Sequence, residues 1–181
     1  MIGFGAGFAL PIALAIGLVH TNTARAADLS PQGDFHIIFT ASNPAVSKPV
    51  PMGGDKVAVA GTSMMAAINF AGTGLLHNMA GRCAGMGIID SRAKTFEQRG
   101  FCDYADADGD HVYESFSFPV QPQSANLNGD GEWTGGTGKF EGLSGKVAIV
   151  AHPMKTLTDG AGQNTGEKRG SYRIEKTTAT K

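Results

Sequence analysis

Charged side chains lie among apolar ones between Arg82 and Phe118, and these are the residues with which the chain could do chemistry. Glu114 would serve as a general acid or base if burial favoured its protonated form. Arg99 could bind a ligand carboxylate or stabilise a developing enolate. Surrounded by apolar walls, such groups form a ligand pocket. The alternatives are a structural arginine–glutamate pair, or side chains at a rim that face water.

The two cysteines, Cys83 and Cys102, predict a disulfide. If residues 81–89 and 96–104 are antiparallel strands joined through 90–95, one register sets the two cysteines directly opposite each other. Opposed Cβ atoms come near the separation that a bridge needs. The alternative is two free, buried thiols in the same hairpin. Neither cysteine has a histidine beside it in sequence, so a catalytic thiol is not indicated.

Asp106, Asp108 and Asp110 alternate around Gly109, as at the start of a calcium-binding loop. An EF-hand would need a glutamate at its last position and flanking helices, whereas this position holds Ser117 and strand patterns flank the segment. The Asp-Gly pair predicts a hairpin turn instead. The histidines are dispersed without metal-ligand spacing, and no dinucleotide fingerprint or phosphate loop opens a helix. We therefore expect no metal and no cofactor.

The first residues have the pattern of a secretory signal peptide. An apolar run from Phe8 to Val19 precedes Ala24-Arg25-Ala26, a small-residue cleavage site, although no lysine or arginine precedes the run. An uncleaved membrane anchor is the alternative. We predict a signal peptide over 1–26, a single domain over 27–181, and a periplasmic or secreted protein that has no membrane segment after cleavage. The formal net charge of −1 shows no basic excess that would indicate nucleic acid.

Short strands and glycine turns dominate the rest of the chain. Strand patterns cover 35–40, 57–70, 81–89, 96–104, 111–118, 131–136, 146–152 and 170–176, and 72–78 is predicted to continue the sheet. Residues 64–67 could alternatively form a helical turn, and 43–54 and 156–166 read as loops. About eight strands in one domain fit a closed antiparallel barrel.

The glycine block Gly136-Thr137-Gly138-Lys139-Phe140-Glu141-Gly142-Leu143-Ser144-Gly145 resembles the Gly-Thr-Gly-x-Phe-x-Gly-x-x-Gly signature of the allene oxide cyclase and dirigent barrel superfamily, which includes secreted bacterial proteins. The resemblance implies an all-β, single eight-stranded antiparallel barrel with an interior pocket for apolar or aromatic small molecules. Its members include cyclases and proteins that steer phenoxy-radical coupling. The catalytic residues of the plant cyclase have no matching positions here, so none is transferred.

Strand alternation then predicts which side chains line the pocket. With Cys83 opposite Cys102 and Tyr104 opposite Tyr113, the more apolar face is expected to point inward. That face supplies the predicted catalytic residues Glu114 and Arg99 and the predicted ligand-binding residues Arg82, Met86, Ile88, Phe101, Phe116 and Phe118. The rival assignment has the opposite face, with Tyr104, Tyr113 and Ser115, inside.

Three functions remain open from the sequence. The first is an exported protein that binds a small apolar or aromatic molecule in the barrel. The second is a cofactor-free cyclase or isomerase that acts on such a molecule with a buried carboxylate. The third is a structural barrel completely filled by side chains, as small barrels can be. The sequence leaves open whether the chain forms a homo-oligomer.

Overall fold

A computed structural model describes residues 29–124, 126–154 and 162–175, and these are almost entirely β-structure. The predicted signal peptide, 1–26, lies outside the described residues. The elements are β1 Gln32–Val46, β2 Val50–Pro51, β3 Lys56–Asn69, β4 Met79–Asp90, β5 Thr95–Ala105, β6 His111–Pro122, β7 Leu127–Gly136, the 3₁₀-helix η1 Gly138–Phe140, β8 Leu143–Met154 and β9 Gly162–Ile174.

Eight of these strands close into a barrel. Each long strand pairs antiparallel with the next long strand in the chain, and β1 pairs with both β9 and β3. The two-residue strand β2 pairs only with Val57 and Ala58, near the start of β3. The predicted all-β, eight-stranded antiparallel barrel is therefore confirmed. Closure gives every long strand two partners, so none presents an unpaired edge.

The observed strands differ from the predicted ones in one connection and in several lengths. Residues 56–69 form one continuous strand, without a helical turn at Met64. Residues 72–78 are turns rather than a strand. Leu75 and Leu76 in this segment are buried in the hydrophobic core. The segment therefore covers the end of the barrel between β3 and β4, and its apolar character reflects burial rather than strand pairing.

The glycine block closes the same end of the barrel. It runs from the end of β7 through η1 into β8, and η1 buries Phe140 in the core. Gly138 and Gly142 have φ of +54° and +79°. A Cβ atom at these positions would collide with the Asp110 carboxylate and the Glu175 carbonyl, respectively. Both positions therefore require glycine, which explains part of the sequence signature.

The turn between β5 and β6, residues 106–110, contacts the glycine block through Lys139. The Asp106 carboxylate accepts hydrogen bonds from the backbone amides of Asp108 and Asp110, and the Lys139 ammonium lies 2.5 Å from Asp106 and 2.6 Å from Asp108. Partial burial raises the pKa of the Asp106 carboxyl, but Lys139 and the two amides outweigh burial and leave this pKa below its ordinary value. Lys139 thus offsets part of the negative charge of this hairpin turn by pairing with Asp106 and Asp108.

The cysteines form the predicted bridge. Cys83 pairs directly with Cys102 in the β4–β5 ladder, and the two sulfur atoms are bonded. Both cysteines are buried inside the barrel. Among residues 29–124, 126–154 and 162–175, no helix is long and apolar enough to cross a membrane.

Candidate ligand-binding site

The interior of the barrel contains a cavity of about 120 Å³. Eleven of its sixteen lining residues have apolar side chains, and polar side chains come from Asn43, Ser63, Gln98, Asn164 and Lys168. The four uncharged ones also line a wider, open space of about 540 Å³ at the end of the barrel opposite the glycine block. The cavity is therefore the deep part of a funnel that opens at this end of the barrel.

A buried triad lies at the base of the cavity. It comprises Tyr104 on β5, Glu114 on β6 and Lys168 on β9, which are 0%, 0% and 3% exposed. The Tyr104 hydroxyl donates to Glu114 Oε2 at 2.8 Å, and Lys168 Nζ donates to the Tyr104 hydroxyl at 2.8 Å. Lys168 Nζ also forms an ion pair with Glu114 Oε2. The ion pair and these hydrogen bonds offset much of the desolvation cost of burying the two charges.

Only one member of the triad faces the funnel. Lys168 lines the cavity, whereas Tyr104 and Glu114 lie behind it. The Lys168 ammonium also lies 5.6 Å from the centre of the Phe39 ring. Lys168 is the one charged side chain among the described residues of the cavity wall.

Burial sets the protonation chemistry of the triad. The pKa of the Tyr104 hydroxyl is raised well above its ordinary value, first by burial and then by the charge and hydrogen bond of Glu114. Burial lowers the pKa of the Lys168 ammonium, and the attraction of Glu114 only partly opposes this. Tyr104 therefore remains a hydrogen-bond donor, while Lys168 gives up its proton more readily than an exposed lysine would.

The structure places three of the predicted site residues inside the barrel. Glu114 belongs to the triad, and Phe116 and Phe118 line the cavity with their rings 6.1 Å apart in an edge-to-face arrangement. Phe118 is buried and Phe116 is half-buried. The structure thus brings these three residues to one site, as the alternation in β6 predicts.

The remaining predicted pocket residues do not face the interior, and that part of the assignment is wrong. Met86 and Phe101 are 52% and 69% exposed on the outer face. Arg82 and Arg99 are also exposed, and Ile88 is half-buried with the same outward alternation. Arg99 therefore lies on the other side of the sheet from Glu114, and the two do not form a common site.

Two causes explain this correction. The β4–β5 register is the predicted one, but Tyr104 lies opposite Val112 rather than Tyr113, and such a one-residue slip exchanges the faces of the next strand. In addition, the inner face of β4 and β5 is rich in glycine. A Cβ atom on Gly81 would lie 2.6 Å from the Tyr104 ring, and one on Gly100 would lie 2.7 Å from Phe116. Glycine makes room inside a narrow barrel, so the more apolar face is not the inner one.

Sequence reasoning missed Lys168 and assigned Tyr104 to the outer face. A usable signal was present in β9, where the outward positions Glu167, Arg169, Ser171 and Arg173 are all polar. The intervening positions Gly166, Lys168, Gly170, Tyr172 and Ile174 therefore point inward. The predicted loop extends to residue 166 and the predicted strand begins at Gly170, so neither contains Lys168. In the structure, β9 begins earlier, at Gly162.

The described ranges contain no group of three or more histidine, cysteine or acidic side chains that could hold a metal ion. The triad itself offers one carboxylate, one phenol and one ammonium.

Comparisons with known proteins show similarity of fold. No family model matches the chain, and no curated protein matches it. Among solved structures, the pterocarpan synthase dirigent protein GePTS1 matches with a TM-score of 0.50 and 11% sequence identity, over 82% of this chain and 90% of that one. The chain therefore has a dirigent-like barrel fold, which agrees with the resemblance of the glycine block. At this identity the match describes architecture and not activity.

Proposed function

We propose that the protein binds a small, mainly apolar or aromatic molecule inside the barrel, and that Lys168 donates a hydrogen bond to this ligand. The observation that carries the proposal is the apolar cavity with one enclosed ammonium group at its base. Apolar walls with a few directed polar groups are the usual composition of small-molecule sites. The dirigent-like fold is compatible with such an interior site.

The size of the cavity limits the ligand. A dry apolar cavity of roughly 150 Å³ holds benzene. The deep cavity of about 120 Å³ therefore suits a single ring or a short apolar chain. The remainder of a larger ligand would occupy the open space beside Asn43, Ser63, Gln98 and Asn164, whose side chains could bind its polar groups.

The hydrogen-bonding capacity of Lys168 defines the polar feature of the ligand. An ammonium group has three donors. Among the described residues, its hydrogen-bond partners are the Tyr104 hydroxyl and Glu114 Oε2, which leaves one N–H for the cavity side. A carbonyl, ether or phenol oxygen would accept it. Because the ion pair already balances the charge of Lys168, a neutral acceptor fits this site better than a second carboxylate.

The geometry supports binding better than catalysis by Glu114. A general base must lie within hydrogen-bond distance of the proton that it takes. Glu114 lies behind Lys168 and Tyr104 and does not reach the cavity wall, so it has no direct path to a ligand. The cyclase or isomerase alternative thus has less support. The filled-barrel alternative has less still, because the interior contains a cavity.

The environment of the protein is part of the proposal. Disulfides persist mainly in oxidising compartments. In this protein, one joins Cys83 to Cys102 inside the barrel. We accordingly propose an exported, periplasmic or secreted protein whose partner is the small molecule, without nucleic acid. Whether it forms a homo-oligomer stays an open prediction.

A dye-binding experiment tests the proposal. Phenylnaphthylamine, an apolar fluorophore, should bind the folded protein with one site per chain and gain fluorescence. Ala151→Phe places a ring in the deep cavity, since Ala151 lines it and is only 8% exposed, and should abolish this signal. Ala84→Phe makes the same change on the exposed outer face and should leave binding unchanged.

The control matters because the outer face also carries exposed apolar side chains such as Met86 and Phe101. Near-ultraviolet circular dichroism should confirm that both variants fold. Equal dye binding by folded Ala151→Phe and wild-type protein would place the dye outside the barrel and overturn the proposal.

A further inference from the structure

The proposed binding site encloses a nucleophile. Lys168 is the buried member of the described lysines, and it lines the cavity. By contrast, the Lys146 side chain is 90% exposed, and the Lys139 ammonium is held by two carboxylates. A primary amine in an apolar pocket has one characteristic reaction, the formation of an imine with a carbonyl compound.

The neighbours of Lys168 provide for the proton transfers of that reaction. The amine must lose a proton to become nucleophilic, and Glu114 Oε2 is in direct contact with Nζ. Transfer of this proton converts an ion pair into a neutral pair without changing the net charge of the site. Burial, which lowers the pKa of Lys168, favours the transfer. The Tyr104 hydroxyl lies 2.8 Å from both groups and can relay a proton between them.

We infer that Lys168 captures a small apolar or aromatic aldehyde as a Schiff base, a covalent form of the binding proposed above and dependent on it. The Nζ lone pair attacks the carbonyl carbon, and one proton passes from the new N⁺–H to the carbonyl oxygen to give a neutral carbinolamine. The proton that Glu114 took from the ammonium returns through the nitrogen to the new hydroxyl, which leaves as water while the nitrogen lone pair forms the carbon–nitrogen double bond. Overall, one ammonium and one aldehyde give one protonated imine and one water, with no oxidation or reduction.

The site is also suited to the product. A protonated imine carries the same single positive charge as the ammonium that it replaces. Glu114 Oε2 can therefore serve as its counter-ion without a change in the buried charge. The Phe39 ring, whose centre lies 5.6 Å from Nζ, and the rings of Phe116 and Phe118 would contact the apolar part of the aldehyde.

Reductive trapping tests the inference. The folded protein is incubated with benzaldehyde and cyanoborohydride, digested, and mapped by mass spectrometry for benzylated lysines. We expect Lys168 to be modified faster than the exposed Lys146, because Lys168 lines the cavity that binds the aldehyde and its lowered pKa leaves more of it as free amine. Excess phenylnaphthylamine should protect Lys168 and leave Lys146 unchanged. Lys168→Arg retains the charge but has no amine that can form an imine, so it should lose the adduct.

The outcomes separate this inference from the proposed function. If phenylnaphthylamine binds in the cavity but benzaldehyde labels Lys168 no faster than Lys146, the Schiff base is wrong and non-covalent binding stands. If Ala151→Phe shows that the dye is outside the barrel and Lys168 is not labelled, both are wrong. Labelling of Lys168 that the dye does not suppress would also overturn the inference, because the reaction would then not occur in the cavity.

Discussion

Removal of the Lys168 ammonium should destabilise the protein strongly, because it leaves a carboxylate in the core without its counter-ion. In Lys168→Met the side chain keeps a similar length, but Glu114 stays fully buried and retains only the hydrogen bond from Tyr104. The other oxygen, Oε1, already lacks a hydrogen-bond partner among the described residues. Breaking a buried ion pair from one side costs about 3–5 kcal/mol.

The measurement is equilibrium unfolding in urea under non-reducing conditions, with thermal unfolding as a second readout. For a domain of this size, roughly 2–4 °C per kcal/mol predicts a fall in Tm on the order of 6–20 °C. Lys146→Met is the matched control. It removes a lysine that is 90% exposed and lies 3.8 Å from Glu132, and should cost no more than about 0.5 kcal/mol.

A double variant tests the cause of the loss. In Lys168→Met/Glu114→Gln the buried charge is gone, so part of the lost stability should return, and the coupling energy should be about 2 kcal/mol or more. Losses that add within about 0.5 kcal/mol would refute the reasoning, because they would show that Lys168 and Glu114 do not interact.

Three further predictions concern other parts of the barrel. Cys83→Ser should lower the free energy of unfolding by about 3 kcal/mol in urea titrations, because it opens a loop between residues that are 19 apart in sequence, and denatured wild-type protein should titrate no free thiol. Above about pH 10, the raised pKa of Tyr104 should lower wild-type stability by up to about 1.4 kcal/mol per pH unit, since tyrosine ionises in the unfolded chain while Tyr104 stays protonated in the folded one, and the raised pKa of Tyr172 should add to this fall. Urea titrations should show this fall to be smaller in Tyr104→Phe than in the wild type, although Lys168 opposes it below about pH 10.5 because its pKa is lowered. Gly131→Ala should cost about 1–3 kcal/mol in thermal unfolding, because the new Cβ would lie 2.9 Å from Glu114 Oε1.

Local sequence patterns were sufficient for the architecture. Strand alternation and glycine turns predicted the eight-stranded barrel, and the β4–β5 register that sets Cys83 opposite Cys102 followed from the length of the connection between the strands. The glycine block predicted tight turns, and Gly138 and Gly142 in it have positive φ. These features depend on residues close together in the chain, so the sequence carries them directly.

The site was predicted only in part, because it depends on contacts between distant strands. Glu114, Phe116 and Phe118 were placed inside by the alternation within one strand. Lys168 meets Glu114 only because β9 and β6 face each other across the closed barrel, 54 positions apart in the chain. The alternation of residues within a single strand cannot predict a contact between two strands that are distant in sequence.

The sequence by itself determined the antiparallel eight-stranded barrel and the disulfide pair, since both follow from neighbouring residues and tight turns. Only the tertiary structure decided which face is inside. Apolar content favoured the face with Met86 and Phe101, but a barrel of eight strands has little interior volume. Its inner wall must alternate aromatic rings with glycine, so Gly81 and Gly100 lie inside and Met86 and Phe101 face outward. The same closure brings Tyr104, Glu114 and Lys168 together at the base of the cavity.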